Sequence, residues 1–220
     1  MKHLFSMLLL AAAAAAGAGA ASAQSDINEL NRQALIAARG GNIDKLKDLV
    51  NQGASVNTRN RFGDSLLMTA IKSGSRDAVS YLMTRQPDVN LANTSRVTPL
   101  MAAAYSGNVE AAKLLLAQRA DVTATDQLHK TAMVYAAATG QTAVIDLLLD
   151  AGVDVNARYE NDLTALMWAA GGGNADAVRL MLARGANPAL TDNRGKTALQ
   201  MAVDNRHGEV AALLRPGPAA

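Results

Sequence analysis

No cysteine occurs in the 220 residues. That absence excludes disulfides, thiolate nucleophiles, cysteine-based metal sites and the lipid-bearing cysteine of a bacterial lipoprotein. Aromatic residues are scarce too: two Phe, four Tyr and one Trp. Alanine and leucine must therefore fill the interior, which implies a thin, layered core. Histidine is limited to His3, His129 and His207. The last two have no second ligand at metal spacing, so no metal site is expected. No block of Lys or Arg appears and the formal charge is only +2. Neither a nucleic-acid stripe nor a polybasic lipid patch is indicated.

Long apolar runs are confined to the start, "MKHLFSMLLLAAAAAAGAGAASAQ". Lys2 and His3 open it, Leu4 to Ala16 is apolar, and Ala21-Ser22-Ala23 offers a small-x-small cleavage site before Gln24. This order is that of a secretory signal peptide over 1–23. A spanning helix wants about 20 strongly apolar residues, and this run decays into Ala, Gly and Ser. Cleavage leaves 197 residues with 20 basic against 19 acidic side chains. The expected destination is a Gram-negative periplasm, with no membrane attachment after cleavage and no nucleic-acid partner. An exported chain without disulfides has to be held by its hydrophobic core alone.

What the sequence does have is a period. Gly41, Gly74, Gly107, Gly140 and Gly173 lie 33 residues apart, and the next step falls on Arg206. A small hydroxyl residue keeps the same phase as Ser65, Thr98, Thr131, Thr164 and Thr197. Six units run without insertion or deletion. Each reads as a helix pair. The hydroxyl residue caps the first helix, small residues such as Ala102-Ala103-Ala104 let a neighbour approach, and the Gly ends the helix at positive φ. Asn42, Ser75, Asn108 and Asn174 are expected to cap the second helix, with Asp44, Asp77, Glu110 and Asp176 matching its dipole. Triplets such as Leu46-Leu49-Val50 and Ile145-Leu148-Leu149 give that helix its apolar face. A turn such as "GASVN" or "GVDVN" closes the unit.

In this phase, "TPLMAAAYSGNVEAAKLLLAQRADVTA" (98–124) and "TALMWAAGGGNADAVRLMLARGANPAL" (164–190) resemble the ankyrin repeat, over about residues 27–215. The resemblance implies an all-α fold, an ankyrin-repeat solenoid of six 33-residue units, each a helix pair with a short β-hairpin finger. Units stack because none can bury its own apolar face. The expected boundaries are an N-terminal capping repeat at 24–59, repeats at 60–92, 93–125, 126–158 and 159–191, and a C-terminal capping repeat with tail at 192–220. The N-terminal unit reads as a polar cap, with Ala34 at the position of Leu in most other units.

Departures from the family pattern are informative. Its T-P-L-H histidine is replaced by Leu35, Met68, Met101, Val134, Met167 and Gln200, so apolar packing is expected in place of its polar links, with the Met side chains as core fillers. The turn Gly after the second helix survives as Gly53, Gly152 and Gly185 but is Gln86 and Arg119 in two units. If those stay left-handed, each costs about 1 kcal/mol. Pro188 stands where other units have Val, and it is expected to interrupt strand pairing in the last finger.

No constellation for catalysis emerges. "GGGN" at 171–174 is a helix break without the Lys-Ser/Thr of a phosphate loop, and no nucleophile–base pair is visible. The protein is expected to be no enzyme and to need no cofactor. The resemblance implies instead that fingers and inner helices line a groove for another protein. Its variable positions here are Arg61, Phe62, Asp64, Val97, Leu128, Lys130, Glu160, Leu163, Arg194 and Lys196 on the fingers, and Lys72, Tyr105, Tyr135, Trp168 and Met201 on the inner helices. Trp168 shares its helix face with Gly171 and Gly172, which are expected to leave open space beside it. The function expected is a monomeric, non-catalytic binding module of the periplasm. Related small exported proteins imply a role in peroxide protection. The alternative is a structural tether or an inhibitor of a cell-wall enzyme or secreted toxin.

Overall fold

The computed structural model describes residues 23–215. The leader expected at 1–23 and the tail beyond 215 therefore lie, but for residue 23, outside the described residues. Within them the chain forms twelve α-helices in pairs. The inner helices are α1 (residues 23–39), α3 (Leu66–Lys72), α5 (Pro99–Ser106), α7 (Ala132–Ala138), α9 (Ala165–Gly171) and α11 (Ala198–Asp204). The outer ones are α2 (Ile43–Asn51), α4 (Arg76–Met83), α6 (Val109–Ala117), α8 (Thr142–Asp150), α10 (Ala175–Ala183) and α12 (Gly208–Leu214). Inner helices pack on inner helices and outer on outer, each against its neighbours in sequence. This is the α-solenoid that the period implies.

The inner helices begin where the hydroxyl residues stand. Each hydroxyl accepts the backbone N–H three residues on: Ser65 from Met68, Thr98 from Met101, Thr131 from Val134, Thr164 from Met167 and Thr197 from Gln200, at 3.2–3.4 Å. Each then ends at a left-handed residue, with φ of 67–74° at Gly41, Gly74, Gly107, Gly140 and Gly173 and 62° at Arg206. Gln86 and Arg119 also keep the left-handed turn, at φ 52° and 59°. Between the two ends Ala103, Ala104, Ala136, Ala137, Ala169 and Ala170 are fully buried. A larger side chain there would overpack the seam by about 1–3 kcal/mol.

Met68, Met101, Val134 and Met167 are buried, as apolar filling of the histidine position requires. Two of them also keep a weak polar contact, because Thr98 N–H donates to Met101 Sδ and Thr164 N–H to Met167 Sδ, both at 3.5 Å.

Two expectations need correction. Asn42 and Asn108 do cap their outer helices, but Ser75 and Asn174 make no cap bond. Asn174 Nδ2 instead donates to Ala137 and Ala138 O at 3.0 and 3.1 Å, tying its unit to the previous one. Pro188 does not break the last finger, since Thr191 and Thr197 form one of two isolated β-bridges among the described residues, the other joining Arg59 and Ser65. The position of Pro188 is a turn, as at Val56, where a fixed φ near −65° fits. On α1, Ile36 is 57% exposed.

Candidate protein-binding groove

Five fingers connect each outer helix to the next inner one, and each is closed by the same backbone bond, from residue k N–H to k+4 O: Asn60 to Asp64, Asn93 to Val97, Asp126 to Lys130, Tyr159 to Leu163 and Asp192 to Lys196, at 2.8–3.1 Å. In four of them the base residue also holds the loop through its side chain. Asn60 Oδ1 accepts from Phe62 and Asp64, Asn93 Oδ1 from Ser95 and Val97, Asp126 Oδ1 from Leu128 and Lys130, and Asp192 Oδ1 from Arg194 and Lys196. A short polar side chain that bonds backbone just ahead of it is the usual Asx device. Successive fingers are then stitched together, Thr94 N–H to Phe62 O and Gln127 N–H to Ser95 O, both at 3.1 Å.

The fourth finger differs because its base is Tyr159, which cannot reach those amides. Its tip becomes a 3-10 turn at Glu160–Asp162, with Asn161 and Asp162 both at φ 59°. Among the described residues no hydrogen bond joins it to the third finger, although Asn193 N–H still donates to Asn161 O at 3.0 Å from the fifth. A cavity of about 220 Å³ opens in the seam, lined among others by Leu128, Lys130, Tyr159, Leu163 and Trp168. The Tyr159 hydroxyl and the Trp168 indole N–H are buried there without hydrogen-bond partners. Thr131 lies beside the hydroxyl but not at bonding geometry.

Three aromatic side chains follow one another along the inner helices. Tyr105 meets Tyr135 edge to face at 6.0 Å between centroids, and Lys130 Nζ lies 5.9 Å from the Tyr135 ring and 5.2 Å from that of Trp168. Lys130 takes part in no ion pair among the described residues. Each such cation–π contact contributes about 0.5–2 kcal/mol. Tyr135 is fixed by a 2.6 Å bond from its hydroxyl to Asp126 Oδ2. Burial first, then the Asp126 carboxylate, pushes its phenol up to about 12. Burial works against ionised Asp126, but Tyr135 and the N–H groups of Lys130 and Leu128 outweigh it and hold the carboxyl below its ordinary value.

The family profile for ankyrin repeats matches three times, at residues 34–126, 85–159 and 133–218. The chain belongs to the ankyrin-repeat family. No curated protein matches it.

Against that frame the individual positions sort themselves. Among the ankyrin finger residues, Arg61, Phe62, Leu128 and Glu160 are exposed, Phe62 by 51% and Leu128 by 62%. Val97, Lys130 and Leu163 are half-buried. On the inner helices Tyr105 is 61% exposed, while Tyr135, Trp168 and Met201 are half-buried against the core. Tyr135 and Trp168 thus pack and face the groove at once. Asp64 is buried and bonded to Lys72 at 2.8 Å and to Asn93 at 2.9 Å, so it is scaffold rather than contact. Lys72, Arg194 and Lys196 are present at the surface but engaged with Asp64, Asp192 and Asp204.

Beside Trp168 lies a cavity of about 530 Å³, bounded by Gly171, Gly172, Met201 and the paired Arg194 and Lys196. Only Gly171 opens it. A Cβ there would meet nothing nearer than Asn205 Nδ2 at 3.6 Å, whereas one on Gly172 would strike Asn174 Nδ2 at 2.8 Å and Ala138 O at 3.0 Å. His207 is part of the stack, its Nε2 3.1 Å from Gly171 O, and His129 sits at a left-handed finger tip. Ile36 escaped the sequence reading, although it stands four periods before Trp168 and the phase alone puts it on the groove.

Proposed function

We propose that this chain is a monomeric, non-catalytic binding module that holds a partner protein in its concave groove. Ankyrin repeats are in general protein–protein interaction modules. The observation that carries the reading here is the row Tyr105, Tyr135, Lys130 and Trp168, flanked by the exposed Leu128. Aromatic anchors beside small residues and apolar tips are what concentrates binding energy at protein interfaces. The periplasm is the proposed site of action, on the strength of the leader pattern in the first 23 residues. A role in peroxide protection rests on resemblance alone; peroxide challenge of a deletion strain tests it.

The deciding experiment is affinity capture from periplasmic extract with the wild type beside Trp168→Ala and Lys130→Ala. The expected result is one dominant protein retained by the wild type and lost by both variants, with their helical circular dichroism unchanged. Equal capture by all three removes the aromatic row from the interface. A captured cell-wall hydrolase or toxin whose activity falls on binding converts the reading to that of an inhibitor.

A further inference from the structure

At the N-terminal end of the groove, α1 and the first finger enclose a cavity of about 510 Å³. Arg32, Arg39, Arg59 and Arg61 line it together with Ile36 and Phe62, and no carboxylate is among its lining residues. Two of the arginines are engaged. Arg32 pairs with Glu29 on its own helix at 2.6 Å, and Arg59 donates to Gly63 O at 2.9 Å and Ala92 O at 2.5 Å. The other two are not: Arg39 and Arg61 enter no ion pair among the described residues. The Arg61 guanidinium lies 4.6 Å from the centroid of the Phe62 ring, a cation–π contact. The opposite end of the groove carries cations too, but there Arg194 and Lys196 are matched by Asp192 and Asp204. The net charge of only +2 shows that the arginine cluster is local, not a property of the whole chain.

We infer that this cradle receives an acidic segment of the partner protein, with Asp or Glu side chains against Arg39 and Arg61 and a neighbouring apolar side chain on Ile36 and Phe62. The inference rests on the groove being a protein-binding surface and adds the partner's chemistry. Guanidinium forks match carboxylates two bonds at a time, and the surplus of positive charge calls for the opposite sign. The exposed apolar pair favours a peptide over a bare anion or a lipid headgroup. Such an occupant also continues along the groove toward Tyr105.

Selection from a phage-displayed library of random short peptides on the mature chain provides the test. Wild-type and Trp168→Ala proteins are expected to enrich peptides in which Asp or Glu adjoins Leu, Ile or Phe. The Arg39→Glu/Arg61→Glu double variant is expected to lose that enrichment and to bind the selected peptides at least about tenfold more weakly. Arg39→Gln/Arg61→Gln should fall between, and added salt should weaken wild-type binding. Both positions are exposed, so circular dichroism should report unchanged folding. Peptides that depend on Trp168 but not on the arginines overturn the inference and leave the groove standing. Absence of any selected peptide overturns both. Arginine-dependent binding of phosphatidylglycerol vesicles without acidic peptides overturns it in favour of a lipid surface.

Discussion

Fingers three and four follow outer helices of nine residues each and close with the same backbone bond, yet they are held differently. In finger three Asp126 gathers two backbone N–H groups and the Tyr135 hydroxyl, so loop and groove wall form one unit. In finger four Tyr159 packs its half-buried ring against the core, and its side chain holds no loop amide; Leu163 N–H turns to Glu160 O at 3.3 Å instead. The tip shifts into two successive left-handed residues, the stitch to finger three is missing, and a cavity appears beside Trp168. One base residue therefore decides how a finger is tied, through side-chain bonds to its own amides or without them.

The largest effect is expected from Asp126→Ala, which should cost about 3 kcal/mol in urea unfolding because it strands two amides and a phenol. Asp126→Asn should cost far less, since Asn60 and Asn93 hold their own fingers with an amide oxygen. Its remaining cost depends on pH. The folded Asp126 carboxyl titrates below its unfolded value of about 3.9, so the ionised group stabilises the fold above that pH. That contribution is lost as pH falls through the folded value. The wild type and Asp126→Asn should therefore differ at neutral pH and converge in acid; a constant gap would remove the charge from the explanation.

Next in size are the caps. Thr131→Ala and Thr164→Ala should each cost about 1 kcal/mol, since both hydroxyls make the same bond in spite of the different fingers before them. A much smaller loss at Thr164 would mean that the loose finger already frays the start of α9. Smaller still are the left-handed positions. Gln86→Gly, Arg119→Gly and His129→Gly should each gain up to about 1 kcal/mol in thermal unfolding. Asp162→Gly should gain less, because Asp tolerates this conformation. The finest probe is amide exchange: the N–H groups of Asn161 and Leu163 should exchange faster than those of Leu128 and Lys130. Equal protection would mean that finger four is as firmly held as finger three.

Most of the scaffold was legible because each unit repeats a local demand. Hydroxyl caps, left-handed helix ends and buried small residues are satisfied within one unit, so their period survives in the sequence. Gln86 and Arg119 show the strength of this: the turn keeps its shape even where glycine is absent. The misreadings fall where two units meet. Asn174 looks like a cap and is instead a donor to the preceding unit. Asp64 looks like a groove residue and is instead the anion between Lys72 and Asn93.

The amino-acid order by itself determined the number of units, their length, the helix ends and the family. It did so because these depend on backbone conformations that particular residue types favour wherever they occur. Only the tertiary structure decided which cations remain unpaired, where the fingers part and how far Trp168 is covered. The ties between units, such as Asn93 to Asp64, Asn156 to Gly185 O and Arg184 to Asp146, join groups 29 to 38 residues apart, and no local preference encodes them.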